Sequence, residues 1–198
     1  MNNTSSSEYF EELNKNSNIK WKKLLPTQLP YSMNLRKNLH GNTLEVGCGL
    51  GRNLKHLSAG SVGVEHNVQS VQVCKNLGFS AHLPEDFQQQ FGNKSGYFDN
   101  LLLSHVLEHV TDKEQESIMA DYIPHLKQKS RIFVITPQEK GFVLTDSHIN
   151  WTDFDKITQL LKKSAPSFHL TSAYSFPFPR VVGKYFNYNE FNVIADRK

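Results

Sequence analysis

The chain has 198 residues, 22 Lys and Arg against 19 Asp and Glu, and a formal net charge of +3. That length suits one domain rather than two enzymatic ones, and 38% hydrophobic with 11% aromatic residues is enough to build a core, which excludes wholesale disorder. The mild basicity allows an anionic partner but is too weak to imply nucleic acid, no apolar run approaches the ~20 residues of a membrane span, and two cysteines, Cys48 and Cys74, are too few for a disulfide framework or a cysteine zinc site.

Met1–Asn18, rich in Asn, Ser and Glu, is expected to fray or form a short surface helix. Met1–Phe10 holds no apolar leader, so a cytoplasmic protein is expected. Lys20–Leu29 reads as a basic connection, with Lys20, Lys22 and Lys23 on a solvated face. A short helix is expected over Tyr31–Leu39, then a strand over Thr43–Val46 and a short helix over Arg52–Leu57. Ser61–Glu65 reads as the second strand, Val68–Leu77 as a helix closed by Gly78, and Phe79–Leu83 as a weak third strand ended by Pro84. Phe98–Ser104 (FDNLLLS) is the fourth strand and Asp112–Ile123 a helix that Pro124 kinks or ends. Arg131–Thr136 is the fifth strand, Thr152–Lys162 a helix, and His169–Phe176 and Tyr185–Ala195 two late β-like runs. Strands alternating with helices imply a mostly parallel sheet. The last two runs have no helix between them, only Pro177, Pro179 and Gly183, and are expected as an antiparallel hairpin at the sheet edge.

The chemistry starts at Leu44-Glu45-Val46-Gly47-Cys48-Gly49-Leu50-Gly51-Arg52-Asn53, a G-x-G-x-G run between a predicted strand and helix. Glycines there permit a sharp turn and let backbone N–H groups approach a ligand. Glu65 ends the second strand 18 residues beyond Gly47, near where such folds bind ribose hydroxyls. A dinucleotide fingerprint is the longer G-x-G-x-x-G, facing a pyrophosphate. Here Glu45 precedes the loop by two residues; its carboxylate would repel a pyrophosphate and suits a ligand carrying an amino group and a sulfonium.

At these residues the chain resembles the class I S-adenosylmethionine (SAM)-dependent methyltransferases. LEVGCGLG resembles their first motif, VGVEH their acidic second-strand motif, FDNLLLSHVLEHV their fourth-strand motif, and IPHLKQKSRIFVITP their helix, turn and fifth strand. It departs from the family where a Pro-Gly-Gly turn is usual, having Lys127-Gln128-Lys129-Ser130 instead. The resemblance covers Asn42–Pro137 well and the remainder loosely. It implies a Rossmann-like three-layer α/β sandwich with a mostly parallel seven-stranded sheet and an antiparallel C-terminal hairpin. Residues 41–198 would form the methyltransferase domain, and residues 1–40 an N-terminal segment in which Tyr31 and Arg36 could act as a lid.

The implied cofactor is SAM. By position, Gly47, Cys48 and Gly49 would pass under its methionine part and Glu45 would anchor the amino group. Glu65 would accept the two ribose hydroxyls, with His66 beside the adenine. Leu83 and Pro84, in a run with Glu85 and Asp86, would touch the adenine; Ser104 and His105 would lie near the methionine and the methyl group.

Methyl transfer needs an aligned acceptor and, for a hydroxyl, a base. His105, His109 and His148 are candidates, with His109 and His148 as the expected catalytic residues and Asp146 as a partner for His148; the alternative is that His105 and His109 bind or pack. His105 and His109 stand four apart, a spacing that can hold a metal, but no third ligand is evident and no metal is expected. Arg180, Tyr188 and Asn189 either line an acceptor pocket or belong to edge packing. The expected activity is methyl transfer to a small molecule, preferentially an oxygen, by a monomer or homodimer with no clear nucleic-acid or membrane partner. A catalytically silent SAM-binding protein and a nicotinamide oxidoreductase are the alternatives.

Overall fold

A computed structural model describes residues 28–198; the readings on Met1–Asn18 and on the basic connection before Gln28 lie outside them. The elements are α1 (Leu29–Asn38), β1 (Thr43–Val46), β2 (Val62–Val64), α2 (Val68–Asn76), β3 (Ala81–His82), α3 (Pro84–Phe91) and β4 (Phe98–Ser104). There follow α4 (Asp112–Tyr122), β5 (Leu126–Pro137), α5 (Glu139–Val143), α6 (Phe154–Ser164), β6 (His169–Phe176) and β7 (Glu190–Arg197). The seven strands form one sheet in the order β3-β2-β1-β4-β5-β7-β6. The first five are parallel, and β7 runs antiparallel between β5 and β6. The hairpin expectation therefore holds, with β6 as the edge.

The central strands read as nearly continuous apolar runs because both sheet faces are covered. One face, Leu44, Val46, Leu101, Leu103, Ile132 and Val134, packs under α3, α4 and α6. Leu102, Phe133, Ile135 and Ile194 point the other way, against Leu35 of α1 and Leu39 beyond it. Beside them Val71 and Cys74 of α2 close over Cys48, Leu54 and Ala81. That makes three layers.

Four expectations need correction. Leu54–His56 is a single 3-10 turn, not a helix over Arg52–Leu57, because three positive-φ glycines consume the preceding segment and Leu57 N–H bonds back to Leu54. Pro84 does not merely end a strand: it opens α3, where its missing N–H is harmless and Glu85 and Asp86 occupy the favourable first turn. The third strand is correspondingly only two residues long. The late strand starts at Glu190 rather than Tyr185, since Arg180–Lys184 coils into a 3-10 turn first. The polar run Lys127–Ser130 is part of β5, bulged where the β4 register jumps from Phe98 to Asn100 and tied down by Lys127 Nζ on Asp99 Oδ1 at 2.7 Å.

The α3 helix earns its place through Phe87, which is fully buried and meets the rings of Phe91, Phe98, Tyr122 and His125. Phe87→Ala should destabilise the fold by ~3–5 kcal/mol, the range for deleting a buried aromatic ring. Urea unfolding followed by circular dichroism measures this; a loss below about 1 kcal/mol would mean the ring is not a core element.

Candidate active site

The sheet order reverses between β1 and β4, the place where open α/β sheets form their ligand crevice at the carboxyl ends of the strands. The loop after β1 supplies one wall. Gly47, Gly49 and Gly51 adopt φ of 72°, 51° and 74°, the left-handed region where a side chain is strained. A Cβ on Gly47 would also run into Val106, on the loop after β4, and one on Gly51 would stand 2.8 Å from the ring of Phe79. The two crevice walls touch at Gly47.

Two buried acids flank this loop. Glu45 is 1% exposed; its Oε1 accepts a hydrogen bond from Asn53 Nδ2 at 2.7 Å, while no described group hydrogen-bonds its buried Oε2. Burial pushes the Glu45 carboxyl up to about 8, against the weaker opposing pull of Asn53 and the Arg52 charge. Glu65 is 4% exposed and accepts backbone N–H from Gly49 (2.9 Å, Oε2) and Asn67 (2.9 Å, Oε1). It thus pulls the glycine loop onto the end of β2. His66 lies with Nδ1 3.1 Å from Glu65 Oε1 and a half-exposed ring. Leu83 and Pro84 sit at the start of α3, beyond β3. Because Leu54–His56 is only one turn, it is the carboxylates rather than a helix dipole that give this crevice its electrostatic character.

The second wall is the β4 exit. Ser104 ends β4 in register with Ile135, and His105 takes φ 57°, held there by its N–H on Ile135 O at 2.9 Å. That is a rare conformation for a residue with a side chain. It turns the imidazole between two acids: Nδ1 is 3.2 Å from Glu108 Oε1 and Nε2 is 2.9 Å from Glu190 Oε1. Burial alone would lower this imidazole, but the two carboxylates override it and push it up to about 10. His105 is therefore a cation at neutral pH, not the base it was considered for.

His109 and His148 do come together, their rings 4.7 Å apart. Burial lowers His109, so it is neutral at pH 7. Glu108, fully buried, stands behind both; His148 Nε2 is 4.0 Å from its Oε1. Burial raises Glu108, but hydrogen bonding and charge from His105 outweigh it and hold the carboxyl below its usual range. Asp146 is not the partner of His148, whose Nδ1 donates to Phe142 O at 2.8 Å.

The remaining candidates fall outside this cluster. Tyr31 donates to Tyr188 O at 2.7 Å and Arg36 reaches His56 Nδ1 at 3.4 Å, so α1 is tied to the body of the domain. Arg180 forms a two-bond pair with Glu139, and Asn189, fully buried, bonds Gln138, Phe178 and Pro179. Asn189 is a packing residue. Sequence reasoning overlooked the roles of Asn53, Glu108 and Glu190. Glu108 had a signal, an acid between two histidines; Glu190 had none, since only the β7 pairing brings it to His105.

A protein-family model for a methyltransferase domain matches residues 13–190. No protein of curated function matches the sequence. Among solved structures the chain is similar to a SAM-dependent methyltransferase of Archaeoglobus fulgidus (16% identity, TM-score 0.67, covering 89% of this chain and 97% of that one). It is similar to another from Thermotoga maritima at 16% identity and TM-score 0.70, over 96% and 98% of the two chains. A Burkholderia thailandensis 1,6-didemethyltoxoflavin-N1-methyltransferase, solved with 1,6-didemethyltoxoflavin and S-adenosylhomocysteine, aligns at 13% identity and TM-score 0.63, over 97% and 86%. At such identities the structures show the fold, and the family model, spanning most of the chain, shows the family. With its glycine loop, flanking acids and strand order, the chain belongs to the class I SAM-dependent methyltransferases.

Proposed function

We propose that this protein binds SAM across the glycine loop and transfers its methyl group to an oxygen of a small-molecule acceptor. The observation that carries the reading is the buried Glu45 carboxyl group, one oxygen fixed by Asn53 and the other buried without a hydrogen bond from the described residues. A buried acid in that state is stabilised by a cation, and the α-ammonium of SAM is one. Gly47, Cys48 and Gly49 run under the methionine part, with Ser104 and His105 at the end of β4 beside it. Each Glu65 oxygen already accepts a backbone N–H yet has a second lone pair, which suits the ribose hydroxyls. His66, Leu83 and Pro84 flank the adenine.

SAM supplies an electrophilic methyl on a sulfonium. The acceptor oxygen forms a bond to that carbon as the S–C bond breaks, its electron pair staying on sulfur to give S-adenosylhomocysteine. The acceptor proton is lost at the His109–His148 pair. Oxygen is favoured over nitrogen because two adjacent imidazoles, one held neutral by burial, suit removal of a hydroxyl proton.

Methyl-labelled SAM incubated with a small-metabolite extract should yield a labelled low-mass ether; SAM bound without any transfer would contradict the reading. In the same assay His109→Ala should cut transfer roughly 10²–10⁴-fold, with SAM affinity changed less than about twofold. A parallel fall in both would make His109 a binding residue.

Glu65→Ala should weaken S-adenosylhomocysteine binding by ~1–3 kcal/mol in calorimetry, provided circular dichroism shows the fold intact. A smaller loss removes Glu65 from the ribose site.

The Glu45 shift sets a sign for pH dependence. Free protein holds this carboxyl protonated below about 8, whereas the bound ammonium needs it ionised. Between about pH 6 and 7.5 affinity should therefore rise with pH, releasing about one proton per SAM bound. Calorimetry in buffers of different ionisation enthalpy reads that proton. Glu45→Gln should abolish its release; release that persists in the variant assigns it elsewhere.

A further inference from the structure

The cluster behind the acceptor side has a donor set that proton transfer alone does not require. Glu108, His109 and His148 each present one ligand atom, and these atoms lie within 4.8 Å of one another. Glu108 is 0% exposed. Its Oε1 lies 3.2 Å from His105 Nδ1 and 4.0 Å from His148 Nε2, whereas its Oε2 accepts no hydrogen bond from the described residues. A buried carboxylate oxygen ordinarily has a partner, and Oε2 is left with lone pairs for a ligand.

The two imidazoles are oriented in a common way. His109 Nδ1 meets Ser147 O at 3.2 Å and His148 Nδ1 meets Phe142 O at 2.8 Å. A carbonyl can only accept, so each ring presents an N–H at Nδ1, which leaves Nε2 as the nitrogen able to ligate. Backbone carbonyls holding the far nitrogen in this manner are the usual support of metal-bound histidines. The frame is fixed as well: Ile149 N–H and Asn150 N–H both donate to Glu108 O, at 2.9 and 3.1 Å, stapling the two contributing loops together.

We propose that Glu108, His109 and His148 bind one divalent first-row transition cation, of the Zn²⁺ or Fe²⁺ type. Two imidazoles and one carboxylate with coordination positions left open form a set such ions accept. Mg²⁺ and Ca²⁺ require more oxygens than the cluster offers. Metal–ligand bonds of ~2.0–2.2 Å call for side-chain shifts of about 1 Å. His105, on Glu108 Oε1, supports the ligating carboxylate from behind. The cation site stands on these residues alone. Its role rests on the transferase reading: the open position would take the acceptor oxygen and lower its pKa, so that in the metal-loaded protein the proton would pass to solvent water and His109 and His148 would act through the ion instead of as direct bases.

Chelator-treated, untagged protein titrated with Co²⁺ should develop visible absorption saturating at one ion per chain, which Zn²⁺ then displaces. His148→Ala and Glu108→Gln should each lower Co²⁺ affinity at least tenfold. His169→Ala, on the exposed edge strand, should bind like the parent. Should Glu108→Gln fail to fold, His148→Ala and the parent titration decide the matter. Absence of a visible band and of calorimetric binding up to ~1 mM Co²⁺ would overturn the site, as would equal affinity in parent and His148→Ala. SAM binding and label transfer in protein shown to take up no cation would sink this proposal alone. A Co²⁺ site lost in His148→Ala but accompanied by no methyl transfer would support the site while removing the transferase reading.

Discussion

Taking the Glu45 carboxylate out of water at the end of β1 is the constraint around which this crevice is organised. An ionised acid in that position is expensive without a cation, and the described residues hydrogen-bond only one of its oxygens, through Asn53. The other half is left to whatever occupies the crevice. The glycines follow from the same requirement. A loop with side chains could not bend back at Gly47 beneath Val106, and its amides could not reach Glu65. The fold thus keeps one acid under-satisfied at β1 and gives a second, at the end of the neighbouring β2, one backbone N–H on each oxygen; in the proposed reading the first faces a charge and the second faces hydroxyls.

The opposite wall repeats the theme with a different solution. His105 is strained into the left-handed region and held there by a backbone bond to β5. In return it neutralises two acids from distant parts of the chain, Glu108 and Glu190. The imidazole is consumed by this role, which is why the proposed transfer assigns the acceptor side to His109 and His148 and not to His105. At neutral pH the crevice therefore sets a protonated acid at Glu45, a cation at His105 and an ionised buried acid at Glu108 beside two imidazoles.

Much of this was legible in the residues themselves. Thr43–Val46, Phe98–Ser104 and His169–Phe176 begin and end where their apolar or β-branched patterns do. The G-x-G-x-G spacing with its two acids located the crevice. Pro84 was misread because proline ends one element and starts another with equal ease; the i,i+4 pair Phe87 and Phe91, with acids in the first turn, was the deciding signal. The helix after the loop failed because the glycines before it use up the chain length a full helix would need. The histidines were legible as a group but not by role, since roles came from φ at His105 and from Glu190, a partner 85 residues away.

The place of β7 in the sheet bears on how the molecule comes into being. The strand spanning Glu190–Arg197 lies inside the sheet, with β5 on one flank and β6 on the other. It also carries the acid that clamps His105 and the Asp196 that grips Arg131 through two bonds. A nascent chain emerging from the ribosome can pair its parallel strands early, but β6 has nothing to zip onto until these final residues arrive. Assembly of the histidine wall is accordingly a late, non-local event, and a chain halted short of Glu190 would hold the glycine loop without a finished opposite bank.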